Sequence, residues 1–485
     1  MLRSADKWFP DYLLSLLRRP GRVSGTRHLV FCFVDHFEPF RRETDASGKS
    51  SVVAPDRARG LVKTWVDRYP ALADGIRDAD GRPPRHTFFY PQEEYDANCV
   101  DLLAGLCAKG FGEVEIHLHH RNDTPEGLRQ KLVEFRDTLH NQHGLLGRRK
   151  GFRVQETGDR DQRSEGSDLP LKVGGQSAVN PVTLTQCNSV TSPIAYGFIH
   201  GNWSLCNSLP DGDWCGVNEE LGILRKTGCF ADFTFPSAPS PTQPRMVNSI
   251  YRAVDTPGRP RGFDRGQPVR RRPREGGRSE VRSQGSGVES DHDSGSAFNP
   301  RQHPTSDNSN PNLRKSVKPA CSLPNVGRAG RSVDRFSSSS LLLIQGPLGL
   351  DWRRRKWGVL PRLENADVSA GTKPTADRAD LWVRQGIHVA GRPEWVFVKV
   401  HTHGCVDANR NVILGPQMRA VHEYLSSRYN DGKDWQLHYA TAREMYNIVR
   451  AAEDGHCGSP GEYRDYEILP PGNRPKTEDH RPEKM

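Results

Sequence analysis

Short apolar runs recur along the chain, separated by helical patterns or polar stretches. Residues 28–34 (HLVFCFV) carry no polar alternation, which predicts a strand buried on both faces. Further strands are predicted over 86–90, 114–118, 195–199, 231–235, 341–344, 395–400 and 435–439. Residues 98–109 read as a helix with Leu102, Leu103, Leu106 and Cys107 on one side, stopped by Gly110 and Gly112. The strongest helical pattern lies within 124–143. There Thr124 is a cap, Pro125 fits the first turn, and Leu128, Leu132, Phe135 and Leu139 form one stripe. Strands alternating with helices imply parallel βα units. Up to eight of them predict an α/β fold, a distorted (β/α)7–8 barrel.

Two stretches break this rhythm. Residues 148–193 and 256–340 are rich in Gly, Ser, Pro, Arg and Asn. Such composition buries too little apolar surface to offset chain entropy, so both are expected to be disordered inserts. The barrel is then split into 28–147, 194–255 and 341–455, with a polar tail over 456–485. An amphipathic segment over 1–27 precedes it, with Trp8, Phe9, Leu13, Leu16 and Leu17 expected to pack on the body.

The formal charge of +10 is mostly local: residues 256–338 hold 16 Lys and Arg against 8 Asp and Glu, a surplus of 8. The remainder is near neutral, which argues against a nucleic-acid partner. The ten cysteines include no C-x-x-C pair and are expected to be reduced, buried thiols of a cytoplasmic protein. No run of about 18 apolar residues predicts a membrane span, and the start lacks a signal-peptide pattern.

Chemistry gathers where the strands end. Asp35 and His36 follow the first, with Glu38 as a spare carboxylate close by; Glu93 and Glu94 follow the second. His117, His119, His120 and Asp123 end the third (EIHLHHRND), and His200, Asn202 and Trp203 the fourth. A late strand leads into His401 and His403 (VHTHG). A single polar residue after a strand is ordinarily a turn residue, but repetition across several strands marks the active face of a parallel barrel. His200, Asn202 and Trp203, with Asp211, Trp214 and Asn218, read as a saccharide-binding wall of aromatic faces and hydroxyl-binding groups. The basic run WRRRKW (352–357) reads as a solvated face or an anion-binding one. P-loop, dinucleotide and G-x-S-x-G signatures are absent.

These elements resemble the polysaccharide deacetylase (NodB-homology, carbohydrate esterase) superfamily. Its T-F-D-D-G motif is matched by Phe33-Val34-Asp35-His36-Phe37, its A-T-F-F strand by His86-Thr87-Phe88-Phe89, and its G-H-E-I-G-N-H segment by 112–123. The resemblance covers about 28–124 well and 195–450 loosely. It implies a divalent metal ion, expected to be zinc, held by His36, His119 and Asp123, with His117 and His120 as alternatives. Asp35 would be the catalytic base and His401 or His403 the acid, acting on an N- or O-acetylated saccharide. Three departures stand out: His36 replaces an Asp, Asp123 a His and Phe37 a Gly. Rival readings are a glycosidase using Asp35 or Glu38 with a second carboxylate, a non-catalytic carbohydrate-binding relative, and a nucleic-acid binder acting through the Arg-rich insert.

Overall fold

The computed structural model describes residues 3–21, 23–44, 50–150, 193–272 and 340–472. Contacts group 1–271 with 332–485 as one compact unit, and 272–331 as another, of which Arg272 alone is described. The frame consists of β1 (Arg27–His36), β2 (His86–Pro91), β3 (Gly112–Leu118), β4 (Ile194–His200), β5 (Cys229–Asp232), β6 (Ile250–Ala253), β7 (Leu341–Ile344), β8 (Trp395–Thr402) and β9 (Trp435–Ala440).

These strands belong to one large, mostly parallel sheet in a mixed α/β fold. Its order runs β6-β7-β5-β4-β3-β2-β1-β8, with β9 also beside β1. Only β6 runs antiparallel to its neighbour among these nine. β1 is the pivot: it pairs with β8 over its length, with β9 through its first half and with β2 through its last four residues. Asp35 lies opposite Thr402, and His117 opposite Ile199.

The apolar runs are buried on both faces, as parallel strands require. Leu29, Phe31 and Phe33 join one core cluster with Val114, Ile116, Phe198, Val398 and the helix residues Trp65 and Leu132. Val30, Cys32 and Val34 join another with Ile199, Ala231, Phe397 and the helix Ala442–Glu453. The helix Pro125–Asn141 starts where its cap predicts, with the Thr124 side chain accepting from Gly127 N–H, and it buries the predicted Leu and Phe stripe. That cap is worth about 1 kcal/mol. The helix predicted over 98–109 spans Ala97–Ala108.

The first helix, Ala5–Arg18, docks Trp8 and Tyr12 against Ala238, Val247 and Leu348. Residues 256–272 of the insert expected over 256–340 are described and pack against the sheet. Gln267–Pro268 pairs with β6, Phe263 and Val269 are buried, and the Phe263 carbonyl accepts from Tyr251 Oη at 2.8 Å. The rest of that stretch, 273–339, and 151–192 of the other lie outside the described residues. Strand Gly147–Arg149 pairs with Ile194, Ala195 and Ile468–Leu469. The WRRRKW run lies in an exposed hairpin, Gly349–Lys356 against Leu360–Glu364. Among the described residues, no helix is long and apolar enough to cross a membrane.

Candidate functional site

Alternation along the strands decides which polar residues meet. Asp35 falls on the face of Phe31 and Phe33, and His36 on the face of Cys32 and Val34. His36 therefore joins His117 of β3, with ring centroids 4.8 Å apart. Glu38, two residues past β1, is buried between them and the histidine after β3. Its Oε1 lies 3.2 Å from His117 Nε2 and 3.4 Å from His119 Nε2. Burial alone would raise its pKa, but hydrogen bonds from His117 and His119 hold it well below the ordinary carboxylate range.

The far nitrogens of both rings are tied back. His117 Nδ1 donates to the Ile199 carbonyl at 3.0 Å. His119 Nδ1 bonds Glu93, whose carboxylate also accepts the His119 backbone N–H at 3.1 Å. Each imidazole thus presents Nε2 to Glu38 in an orientation fixed by an outer partner, as metal-binding histidines do. Burial opposes charge on the His119 ring, yet its bonds to Glu38 and Glu93 prevail and push its pKa up to about 10. A proton there stands where a cation between two carboxylates would be favoured. The ring packs on Gly201, where any Cβ would collide with it.

His36 and His403 complete the cluster. Their rings stack 4.6 Å apart, and Trp203 lies 6.4 Å from each. His36 Nδ1 is buried without a hydrogen-bond partner. Burial, then His403 and His117, depress the His36 pKa well below its ordinary value. Two donor sets share Glu38: one with His117 and His119, the other with His36 and His403, each gathered within 4.8 Å. These imidazole and carboxylate donors together suit a divalent transition metal.

Three of the expected site residues have their main partners outside the Glu38 cluster. Asp35 is fully buried on the opposite face, with Oδ2 2.9 Å from His86 Nε2 and Oδ1 accepting from Gly404 N–H at 2.6 Å. It holds the loop carrying His403, which Trp65 also grips through the Gly404 carbonyl at 3.2 Å. Asp123 does not reach His36 and His119. Its Oδ2 pairs with Lys131 at 2.8 Å and its Oδ1 accepts from Thr124 N–H, because the chain turns at Asn122 (φ 48°) into the next helix. His401 is buried at the end of β8, where burial outweighs the pull of Asp367 and lowers its pKa to about 3. His403, which lies against His36 and Trp203, is the better-placed of the two.

The expected saccharide wall divides. Trp203 is half-buried beside His36, while Trp214 is exposed with the Arg121 guanidinium 4.8 Å above its ring. Asn202 Nδ2 donates to the Trp214 carbonyl, Asn218 accepts from Asn207, and Asp211 caps its own turn through Asp213 N–H. His120 and His200 join a second buried group with Cys215 and Glu220. Nothing in the spacing of these four residues signals that group. No family model, curated protein or solved structure matches the chain.

Proposed function

We propose that the chain is a metal-dependent hydrolase that removes acetyl or related acyl groups from an N- or O-acylated saccharide. The observation that carries this reading is Glu38 set between His117 and His119, with both outer nitrogens anchored. Glu38, His117 and His119 would hold a divalent cation, zinc by the chemistry of the donors, with His36 and His403 beside it. Such an ion supplies Lewis acidity toward an acyl carbonyl oxygen. His403 moves the proton that the leaving amine or alcohol needs, and burial lowers the pKa of its ring below the ordinary imidazole value. Trp203 offers a flat apolar face for a sugar ring. A distorted β/α barrel would bring these strand ends to one mouth. Closure is supported by Lys399 of β8, whose Nζ donates to the carbonyls of Phe233 and Phe235 after β5.

A second reading, a glycosidase, draws support from Glu94. Burial first, then its carboxylate neighbours, push its pKa up to about 8, while Glu38 stays ionised. Paired carboxyls held apart in pKa suit acid and base roles in glycoside cleavage.

The test uses the full chain, stripped by a chelator and reloaded with Zn²⁺, and follows acetate release from N-acetylglucosamine oligomers and acetylated xylan. Glu38→Gln should lose the bound metal and lower kcat/KM by about 10³, roughly 4 kcal/mol of transition-state stabilisation. Acetate release that survives chelation would overturn the proposal. Glycosidic cleavage indifferent to chelation would favour the second reading.

A further inference from the structure

We propose that His120, His200, Cys215 and Glu220 form a second metal centre, closed and structural, suited to zinc. It stands apart from the proposed catalytic donors and does not depend on that function. All four side chains are buried, and their donor atoms lie within 4.8 Å of one another. Two imidazoles, one thiol and one carboxylate are a complete tetrahedral donor set for Zn²⁺, with no position left for substrate.

The hydrogen bonding around the group suits a cation. His200 Nε2 is buried and has no partner, although Glu220 Oε1 lies 3.9 Å away. His120 Nε2 faces the same oxygen at 3.2 Å, and the two rings lie 4.6 Å apart. His120 Nδ1, also unpartnered, is 3.5 Å from Asp123 Oδ2. A metal on Nε2 would fix the proton on Nδ1 toward Asp123, the carboxylate–histidine pairing common behind zinc ligands. This gives Asp123 an outer role.

Cys215 Sγ accepts backbone N–H groups from Asn207 at 3.3 Å and Val217 at 3.5 Å, which aim the sulfur into the group. Glu220 Oε2 sits 3.4 Å from that sulfur and accepts Cys206 N–H at 2.7 Å. Binding releases the thiol proton to the buffer. At His200 the ring proton moves to Nδ1, which breaks the 3.2 Å contact that Nδ1 now accepts from Asn202 N–H.

Position gives the centre its purpose. The segment between His200 and Glu220 carries Trp203, Cys206 and Asn207 in left-handed backbone conformations (φ 56°, 48° and 52°). Non-glycine residues hold such angles only where surroundings enforce them. A cation joining His120 after β3, His200 at the end of β4, Cys215 in the loop and Glu220 at a helix start would pin that loop. Trp203 would be fixed with it.

The test loads the full chain with Co²⁺ alone and records its absorption spectrum and metal content. Wild type should bind about two equivalents and show thiolate-to-cobalt charge transfer in the near ultraviolet. Cys215→Ser should lose about one equivalent and that band, while Glu38→Gln should lose the other equivalent and keep the band. A Cys215→Ser protein with unchanged metal content and spectrum overturns the proposal. If that variant does not fold, wild-type Cys215 is followed by alkylation and peptide mass mapping. Chelation should speed its modification by at least about tenfold, and an unchanged rate overturns the centre.

Discussion

Two charged regions of this protein are built on opposite plans. Around the starts of β2 and β3, each acid meets a permanent cation. Arg443 grips Glu113 through Nε at 3.0 Å and Nη2 at 2.8 Å, and Arg464 reaches Asp78 at 3.2 Å and Asp80 at 2.7 Å. Glu444 lies among Arg82, Arg85 and Arg464. Around Glu38, at the other ends of β1 and β3, several imidazoles face one carboxylate, which a half-exposed Arg41 reaches from outside at 2.9 Å. The first plan satisfies its charges internally and holds the fold. The second keeps lone pairs converging on one point, an arrangement suited to an added cation.

Arg443→Met should produce the largest change, about 3–5 kcal/mol of lost stability, because buried Glu113 would lose its bidentate partner and keep only Arg85 at 3.9 Å and the Thr441 hydroxyl. Denaturant unfolding measures this, and a wild-type midpoint would erase the contrast. Glu93→Gln should weaken metal binding about 10–100-fold by loosening His119, with the metal-free protein melting as before. Chelator competition decides it; undiminished affinity would reduce Glu93 to a surface residue.

A smaller effect tests a histidine that belongs to neither region. His422 is buried beside Tyr439, and burial followed by His86 depresses its pKa to about 3. The unfolded chain takes up the proton first as pH falls. The stabilising contribution is therefore complete above about pH 6.5 and is lost toward pH 3. His422→Phe should flatten the acid limb of stability by about 1.4 kcal/mol per pH unit between pH 6 and 4. Denaturant midpoints across that window provide the check, and an unaltered slope would assign acid sensitivity to other histidines.

Periodicity made much of the frame legible. The 128–139 stripe and the apolar strands carry their signals locally, and strand-end histidines follow from the strands. The partition of Asp35 from His36 was readable in principle, since neighbours on a strand face opposite ways; motif likeness obscured it. Asp123 has the expected spacing from His119, but the turn at Asn122 carries it away. Glu38 needed only the turn after β1 to become central. The group at positions 120, 200, 215 and 220 had no local signal, because folding alone unites donors from two strand ends, a loop and a helix. Residues 256–272 misled through composition, as a few well-placed contacts order them.

The pivotal place of β1 has a consequence for synthesis. Of these nine strands it leaves the ribosome first, and two of its three neighbours, β8 and β9, leave last. The Asp35 carboxylate must await Gly404, 369 residues later, before the loop bearing His403 can close. Nascent chains that stop short of that point leave one whole edge of β1 unpaired, and unpaired edges invite association with other chains. Such distant pairing also slows the final search. The strand made first is completed last, so premature termination exposes the strand on which the sheet pivots.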